Sequence, residues 1–302
     1  KSIYDKTAAR ELLSGPIQYQ FLYNKPRQWP AWEIQYEDII LPPQGRFVGT
    51  PEIRMIDQRP VRVGLEINRK TEKSKFHLIV WLAAGEAGNR VEFENSVDWY
   101  ERETLLKAAF QFSTPNDSVT YDIGLGTIKR GLNTPKKYEV PGQQWADLTN
   151  QSGNYGVAIL NDCKYGWDHP DPKTLRLSLI HTPGVFESWN WVGDQSSQDM
   201  GHHEFEFALV GHSGDWRNGN IVVEAAEFNQ PLMGFYAPEK NKGELGKSMS
   251  FASVQARTKT AVNPSVMISA LKKSENSDEI VVRLRETAGK HVDGALVNFA
   301  LP

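Results

Sequence analysis

Cysteine is nearly absent from this chain of 302 residues, because Cys163 stands alone. A single thiol excludes an intrachain disulfide, and it gives no sign of the redox compartment. Cys163 follows a strand-like run, and no activating base is identifiable beside it. We therefore expect a small buried side chain at this position, in preference to a catalytic thiolate.

Long apolar runs and an excess of one charge are also missing. The longest uncharged apolar run, residues 78–84, is far below the roughly 20 residues of a membrane-spanning helix. Lys and Arg total 34 against 37 Asp and Glu, for a formal net charge of −3, so no broad positive field would attract phosphates. Neither a membrane nor a nucleic acid is expected as a partner. The first residues contain no signal-peptide core, and the compartment stays open, with the cytoplasm slightly favoured.

Helical signals are few, and alternation of apolar and polar residues takes their place. Apolar residues occupy every second position in residues 61–67, and the same period recurs in residues 76–82, 175–179 and 203–209. Residues 104–110 could form two helical turns, yet apolar residues also occupy every second position from 106 to 112. Many short strands with Gly and Pro turns are typical of stacked antiparallel sheets and not of a parallel α/β sheet.

A change of composition divides the chain. Residues 216–220 end the first strand-rich region, and a polar stretch rich in Gly and Lys, residues 238–246, precedes a compact final segment. We predict a large β-domain over residues 1–222. A small terminal β-sandwich, complete or incomplete, is predicted over residues 223–302.

The residues most suited to a polyhydroxylated ligand lie in one turn. The run NYGVAILNDCKYGWD, residues 154–168, places Asn161, Asp162, Lys164 and Tyr165 directly after an apolar strand. Their polar ends could leave the core and reach a sugar bound in a facing domain. The same residues also suit a structural turn, in which Asp162 pairs with Lys164 and Asn161 forms hydrogen bonds with the nearby backbone.

This run and three others, in the same order, resemble the C-terminal β-domain of the glycoside hydrolase family 38 α-mannosidases. Residues 91–107, VEFENSVDWYERETLLK, are similar to the family's VEFENxVDWHERHxLLK. Residues 203–216 and 269–286 are similar to its HEFxYAL…HxGDW and ALKKAE…LRLYE. The resemblance implies an all-β fold, with a large antiparallel supersandwich of the galactose-mutarotase type followed by a smaller β-sandwich. It also favours a strand over a helix at residues 104–112.

The resemblance also implies an activity that this chain does not complete by itself. Family members hydrolyse α-mannosides with retention, using an aspartate nucleophile, an acid/base carboxylate and a zinc ion bound by Asp and His. Those groups belong to an N-terminal catalytic domain whose motifs are not in this sequence. We therefore expect the chain to be inactive alone, to hold no catalytic residue, metal or cofactor of its own, and to pack against its catalytic domain.

Three residues outside the turn are further candidates for contact with a sugar. His181 stands where the family's similar LSLLRSP carries Arg, and a neutral imidazole cannot reproduce the forked contact of a guanidinium. It is kept as a substrate-pocket candidate. Trp189 and Trp191 offer flat rings that could form a sugar platform, or that pack under a loop.

Two acidic sets have both a chemical and a structural interpretation. One face of a strand carries His202, Glu204 and Glu206, which could bind a metal. A charged face exposed to solvent has the same composition, and we expect no metal site there. Asp98 and Glu101 could form an acid/base pair, although a buried salt-bridge network with the neighbouring arginine is the favoured interpretation.

Two other functions stay open beside the mannosidase interpretation. One is a stand-alone carbohydrate-binding module that uses tryptophan platforms. The other is a catalytically complete sandwich of the mutarotase or polysaccharide-lyase kind, in which Asp98, Glu101, His181 and the turn around Lys164 form the site.

Overall fold

Two compact units make up the protein, Lys1–Asn229 and Gln230–Pro302. The computed structural model describes residues 2–185, 198–236, 248–257 and 265–300. Trp189 and Trp191 lie outside the described residues. Neither α-helix in the described ranges is long and apolar enough to span a bilayer.

Strands dominate both units. In the first unit they are β1 (Tyr4–Asp5), β2 (Arg10–Glu11), β3 (Gln18–Tyr23), β4 (Val48–Arg59), β5 (Arg62–Lys70), β6 (Lys75–Ala83), β7 (Arg90–Trp99), β8 (Thr104–Gln111), β9 (Ser118–Asp122), β10 (Thr127–Gly131), β11 (Val140–Pro141), β12 (Trp145–Thr149), β13 (Tyr155–Asn161), β14 (Gly166–Asp171), β15 (Thr174–Thr182) and β16 (Gly201–Ser213). Its helices are α1 (Tyr36–Ile39), α2 (Ile221–Asn229) and a 3-10 turn at Gly85–Asn89. The second unit contains β17 (Ala252–Arg257), β18 (Val266–Lys273), β19 (Ile280–Glu286) and β20 (Gly294–Phe299).

Antiparallel pairing joins the strands of the first unit into two large sheets. A nine-stranded sheet has the order β10-β9-β12-β13-β16-β7-β6-β5-β4, and a five-stranded sheet has the order β11-β14-β15-β8-β3. In the second unit, β17 pairs with β20 and β18 pairs with β19, again antiparallel. The predicted all-β antiparallel class is confirmed, as is the predicted strand at residues 104–112, which contains β8.

The core lies between the two large sheets. On β16 the alternation places Phe205, Phe207 and Leu209 inward, each at most 1% exposed, because successive side chains of a strand point to opposite faces. Phe207 stacks on Phe93 of β7 at 5.0 Å between ring centroids. It also meets Phe110 of the facing sheet edge to face at 5.4 Å. These aromatic contacts fix the spacing of the sandwich.

Helix α2 is an element that the alternation did not predict. Its buried residues Ile221, Ala225 and Phe228 pack with Trp145 and Trp216. Two β-branched valines near its start lower helix propensity, so the contact with the sheet stabilises the helix. The predicted domain boundary at residue 222 falls inside α2.

The outer face of the five-stranded sheet is covered as well. Seven of the eight residues of β8 are buried, and outward-facing Leu105 joins Leu22 of β3 and Ile39 of α1 in a small cluster. Tyr138, from the segment that precedes β11, also packs on this cluster. Two connecting segments, residues 24–45 and 132–139, therefore cover the polar side chains of this face.

Candidate functional site

Strand register brings four charged side chains together on the outer face of the five-stranded sheet. Lys107 of β8 lies opposite Ser178 of β15, and Arg176 of β15 lies opposite Asp168 of β14. Glu139 approaches from the covering segment. The period of two along β8 and β15 explains why these residues share one face.

The charges of this cluster neutralise one another. The Lys107 ammonium donates to Asp168 Oδ1 at 2.8 Å and also to Glu139. Arg176 Nε lies 3.0 Å from both oxygens of Asp168, and Asn133 Nδ2 donates to Asp168 Oδ2 at 2.8 Å. The side chains of Lys107 and Asp168 are 0% exposed, so the pair is fully removed from water.

The protonation of Asp168 follows from these contacts. Burial by itself would raise the pKa of the Asp168 carboxyl, but the charges of Lys107 and Arg176 outweigh burial and hold that pKa well below its usual range. The carboxylate is therefore ionised and held by two cations. A general acid needs a carboxyl that stays protonated near neutral pH, and Asp168 does not meet that requirement.

His181 lies near this cluster, at the end of β15. It stands opposite Leu105 of β8, and its Nε2 is buried without a hydrogen-bond partner among the described residues. Burial lowers the pKa of His181; Asp199 raises it and Lys107 lowers it further. The imidazole is thus favoured in its neutral form.

The loop after β3 presents two exposed indoles beside the covered face. Trp29 and Trp32 are 47% and 81% exposed, and their rings stack at 5.5 Å with 18° between the planes. Trp29 adopts a left-handed backbone with φ of 50°, which is uncommon for a bulky residue and concentrates at functional sites. Its carbonyl accepts hydrogen bonds from the N–H groups of Trp32 and Glu33, both at 2.9 Å.

Two contacts anchor the base of this loop. The Lys25 N–H donates to Asp38 of α1 at 3.0 Å, and the Lys25 ammonium pairs with Glu103 at 2.7 Å. Asn24, the residue before Lys25, is 0% exposed. Neither the oxygen nor the nitrogen of its side-chain amide has a hydrogen-bond partner in the described part of the chain. The tryptophans therefore project from a loop that is held to the sheet at its base.

The predicted ligand turn consists largely of structural contacts. Asn161 is fully buried; its amide donates to the Gln143 carbonyl at 2.8 Å and its carbonyl accepts from Lys164 N–H at 2.8 Å. The Lys164 ammonium lies 5.0 Å over the Phe205 ring. Tyr165 is 51% exposed.

Asp162 and Cys163 complete the same turn. One carboxylate oxygen of Asp162 is buried without a partner among the described residues. Cys163 is exposed, so the prediction of a buried cysteine was wrong: the turn directs it away from the core. Partial burial of the sulfur, then Asp162, raise the pKa of the thiol to about 12, which disfavours a thiolate.

Among the described residues, no hydrogen bond or ion pair connects the turn to His181. Lys164 contacts Phe205 of the nine-stranded sheet, whereas His181 lies on the five-stranded sheet beside Lys107. Sequence reasoning missed the Lys107 cluster and the Trp29–Trp32 pair. The close spacing of two tryptophans around a proline in WPAW was the available signal for the second.

The two acidic sets differ in outcome: His202, Glu204 and Glu206 lie on the exposed, charged face that the sequence predicted, whereas Asp98 and Glu101 do not form the predicted network. His202 Nδ1 lies 2.9 Å from Asp98, and its Nε2 lies 3.3 Å from Glu204. Glu101 accepts a hydrogen bond from the Ser74 hydroxyl at 3.1 Å. The predicted buried salt-bridge network of Asp98 and Glu101 was wrong, because Asp98 is half exposed and the two carboxylates have separate partners.

Fold and site together define an all-β scaffold of two stacked antiparallel sheets, with the charges of Lys107, Asp168 and Arg176 paired on the outer face of one sheet. The model of the family described as glycosyl hydrolases family 38 C-terminal domain matches residues 1–185. This chain belongs to glycosyl hydrolase family 38 and contains the C-terminal domain of that family, as the sequence predicted.

Two curated relatives and two solved structures support the assignment. Human alpha-mannosidase 2C1 is 30% identical over 220 residues, which cover 70% of this chain and 19% of the human protein. Alpha-mannosidase G of Dictyostelium discoideum is 30% identical over 306 residues, which cover 96% of this chain and 26% of that protein. The chain thus spans about a quarter or less of these relatives.

The solved structures are similar in fold. A family 38 glycosyl hydrolase protein from Enterococcus faecalis has a TM-score of 0.76 at 15% identity, and the match covers 99% of this chain and 37% of that one. An alpha-mannosidase from Enterococcus faecalis V583 has a TM-score of 0.73 at 16% identity, covering 94% of this chain and 34% of that one.

The Asp168→Asn variant tests the charge cluster. Without the carboxylate, Lys107 and Arg176 remain buried with only Glu139 to balance them, so we expect the free energy of unfolding to fall by about 3–5 kcal/mol. Urea denaturation followed by tryptophan fluorescence measures this change. In the control Asp215→Asn, which removes a partly exposed partner of Arg217, the loss should stay below about 1 kcal/mol. Equal losses in both variants would contradict the assignment.

The same cluster predicts a pH dependence. Because the pKa of Asp168 is lower in the folded protein than its unfolded value of about 3.9, the pairing stabilises the fold above that pH. Its contribution is lost as pH falls, when the unfolded chain takes up the proton first. Urea denaturation from pH 6 to pH 3 should show a steeper loss of stability for the wild type than for Asp168→Asn. Parallel curves would exclude this linkage.

Proposed function

We propose that this chain is the non-catalytic C-terminal β-region of a zinc-dependent α-mannosidase that hydrolyses terminal α-mannosides with retention. The pairing of the buried carboxylates is the observation that carries the proposal. A retaining glycosidase needs one carboxylate that attacks the anomeric carbon and another that protonates the leaving oxygen. Asp168 and Glu139 are instead both bonded to Lys107. We therefore assign the bond-breaking groups to another part of the parent enzyme.

Zinc is assigned to the same missing part. Within the described ranges, no group of three or more His, Cys, Asp and Glu side chains is placed to hold a metal ion. The set on β16 that could have been a metal site has its imidazole bonded to Asp98 and Glu204. These residues therefore do not fit a zinc site.

Support and orientation at the sugar pocket are the contributions that we assign to this chain. The exposed rings of Trp29 and Trp32 offer apolar faces with a polar N–H at the edge, which suit a pyranose ring with its hydroxyl groups. A neutral His181 can donate or accept one hydrogen bond to a hydroxyl. Groups of this kind act by positioning the sugar for attack by the catalytic carboxylate.

The relatives support the choice of substrate class. The human and Dictyostelium proteins are both named α-mannosidases, and both are several times longer than the matched region. A carbohydrate-binding module is the second candidate function, because the exposed tryptophan pair suits sugar binding without catalysis.

Turnover of an aryl α-mannoside tests the division of labour. We expect the purified chain to release no more aryl alcohol than a protein-free blank, because the carboxylates of Asp168 and Glu139 are bonded to the Lys107 ammonium. The full-length parent should hydrolyse the same substrate. The proposal would be contradicted if the chain alone hydrolysed the substrate and the Asp168→Asn variant lost that activity. A parent enzyme that is folded but inactive on α-mannosides would also contradict it.

The Trp32→Ala variant of the parent tests the sugar-orienting role. Loss of one stacking ring should lower kcat/KM for α-mannobiose about threefold to tenfold, which corresponds to about 0.5–1.5 kcal/mol. The melting temperature should not change, since Trp32 is exposed. The control is Trp81→Ala, because the Trp81 ring is already covered by the Arg62 guanidinium at 3.9 Å.

Two outcomes would remove the orienting role. One is equal activity of Trp32→Ala and Trp81→Ala. The other is that the chain alone binds mannobiose as tightly as the parent does, in a manner that depends on Trp32. This result would favour the binding-module candidate.

A further inference from the structure

A cavity of about 1560 Å³ with an aliphatic floor and several charged residues in its walls opens within the first unit, on the side of the five-stranded sheet opposite the charge cluster. Its floor is the inner face of β4, β5 and β6. The floor side chains share an aliphatic character and follow the strand alternation: Ile53, Val63, Leu65, Ile67, Leu78, Val80 and Leu82. These seven residues form the groove floor.

The groove floor is open to water although its residues point inward. Ile53, Leu65 and Leu82 are 57%, 37% and 43% exposed, whereas inward-facing Phe93 and Phe207 on β7 and β16 are 6% and 0% exposed. The same face of the same sheet is thus buried at one end and exposed at the other. Contiguous exposed apolar surface of this kind marks an interaction site.

The unequal size of the two sheets explains the difference. The five-stranded sheet ends at β3, where Tyr19 and Phe21 contact Phe76 of β6 at 5.9 and 6.0 Å between ring centroids. Strand β3 therefore lies over β6, and the face of β5 and β4 beyond it has no facing strand among those described.

The outer edge of β3 has no backbone partner among the described residues at positions 18–20, whereas Gln44 and Phe47 already cover it at Phe21. Among the described strands β3 pairs with β8 alone. On the other side, the Phe21 carbonyl accepts one backbone hydrogen bond, from Gln44 N–H at 2.8 Å. A strand added along this edge would extend the five-stranded sheet across the cavity, and every second side chain would point onto the groove floor.

We propose that the groove floor and the edge of β3 bind an apolar strand-forming segment from the N-terminal part of the parent polypeptide. This inference rests on the proposed function, in which the chain is one region of a longer enzyme. The length of the relatives supports an occupant from the same polypeptide, since the match covers only 19% and 26% of the two proteins. The aliphatic floor and the backbone edge together select an extended apolar segment.

Hydrogen exchange of the intact parent and of this chain, measured side by side, tests the proposal. Peptides from β3 and β5 should exchange at least tenfold more slowly in the parent, because strand pairing and burial protect their amides. Peptides from β13, which is buried in the chain already, serve as the internal reference. Equal protection of β3 and β5 in the two proteins would overturn the proposal.

A double substitution on the groove floor adds a second readout. Leu65→Glu with Leu82→Glu in the parent should return β3 and β5 to the fast exchange of the isolated chain, since burying two carboxylates is unfavourable. Leu125→Glu is the matched control, because Leu125 is 84% exposed in the turn between β9 and β10. Protection that survives the double substitution would contradict the assignment.

Two further measurements separate this inference from its alternatives. Mannosidase activity of the same parent preparations is measured independently of hydrogen exchange. Protection of β3 and β5 without activity would contradict only the proposed function. Activity without protection would contradict only the groove assignment. Sedimentation of the isolated chain checks a second copy as occupant. A dimer that Leu65→Glu with Leu82→Glu abolishes would overturn the choice of an N-terminal segment.

Discussion

The buried ammonium of Lys107 is the constraint on which the outer face of the five-stranded sheet depends. An unpaired charge at this depth would be strongly destabilising, so separate segments must bring carboxylates to it. Asp168 comes from β14 and Glu139 from the segment that precedes β11. The second contact fixes the position of a covering segment that hydrophobic packing alone would leave free to shift. The ionic cluster therefore holds the segment around Glu139, while the apolar cluster of Leu22, Ile39 and Leu105 holds the segment that contains α1.

Sequence alone predicted the parts of the fold that depend on local geometry. The alternation in residues 203–209 identified the inward residues of β16, because the two-residue period needs no knowledge of the partner strand. Lys107 was not recognised, since a lysine in an alternating strand ordinarily points to water, and its partner Asp168 lies 61 residues away. Helix α2 was missed for a similar reason: it depends on tertiary contacts with Trp145 and Trp216.

Prediction of individual site residues had less support from local pattern. Polar residues after a strand suit both ligand contact and turn formation. In the structure, the side-chain amide of Asn161 donates one hydrogen bond to nearby backbone and accepts another from it. The left-handed conformation of Trp29 cannot be inferred from the residue type, because tryptophan rarely adopts it. Exposure of Trp32 depends equally on the path of the loop. Such features follow from tertiary structure, and the family resemblance did not specify them.

Strand β3 connects the apolar and the polar sides of the domain. Its outer edge borders the groove floor, and its last residue, Tyr23, leads directly into the loop that contains Trp29 and Trp32. Lys25 ties that loop to Asp38 and Glu103. A segment that pairs with β3 would therefore order the strand that leads into the loop of the two tryptophans. Completion of the apolar side and orientation of the exposed aromatic pair are then consequences of one strand contact.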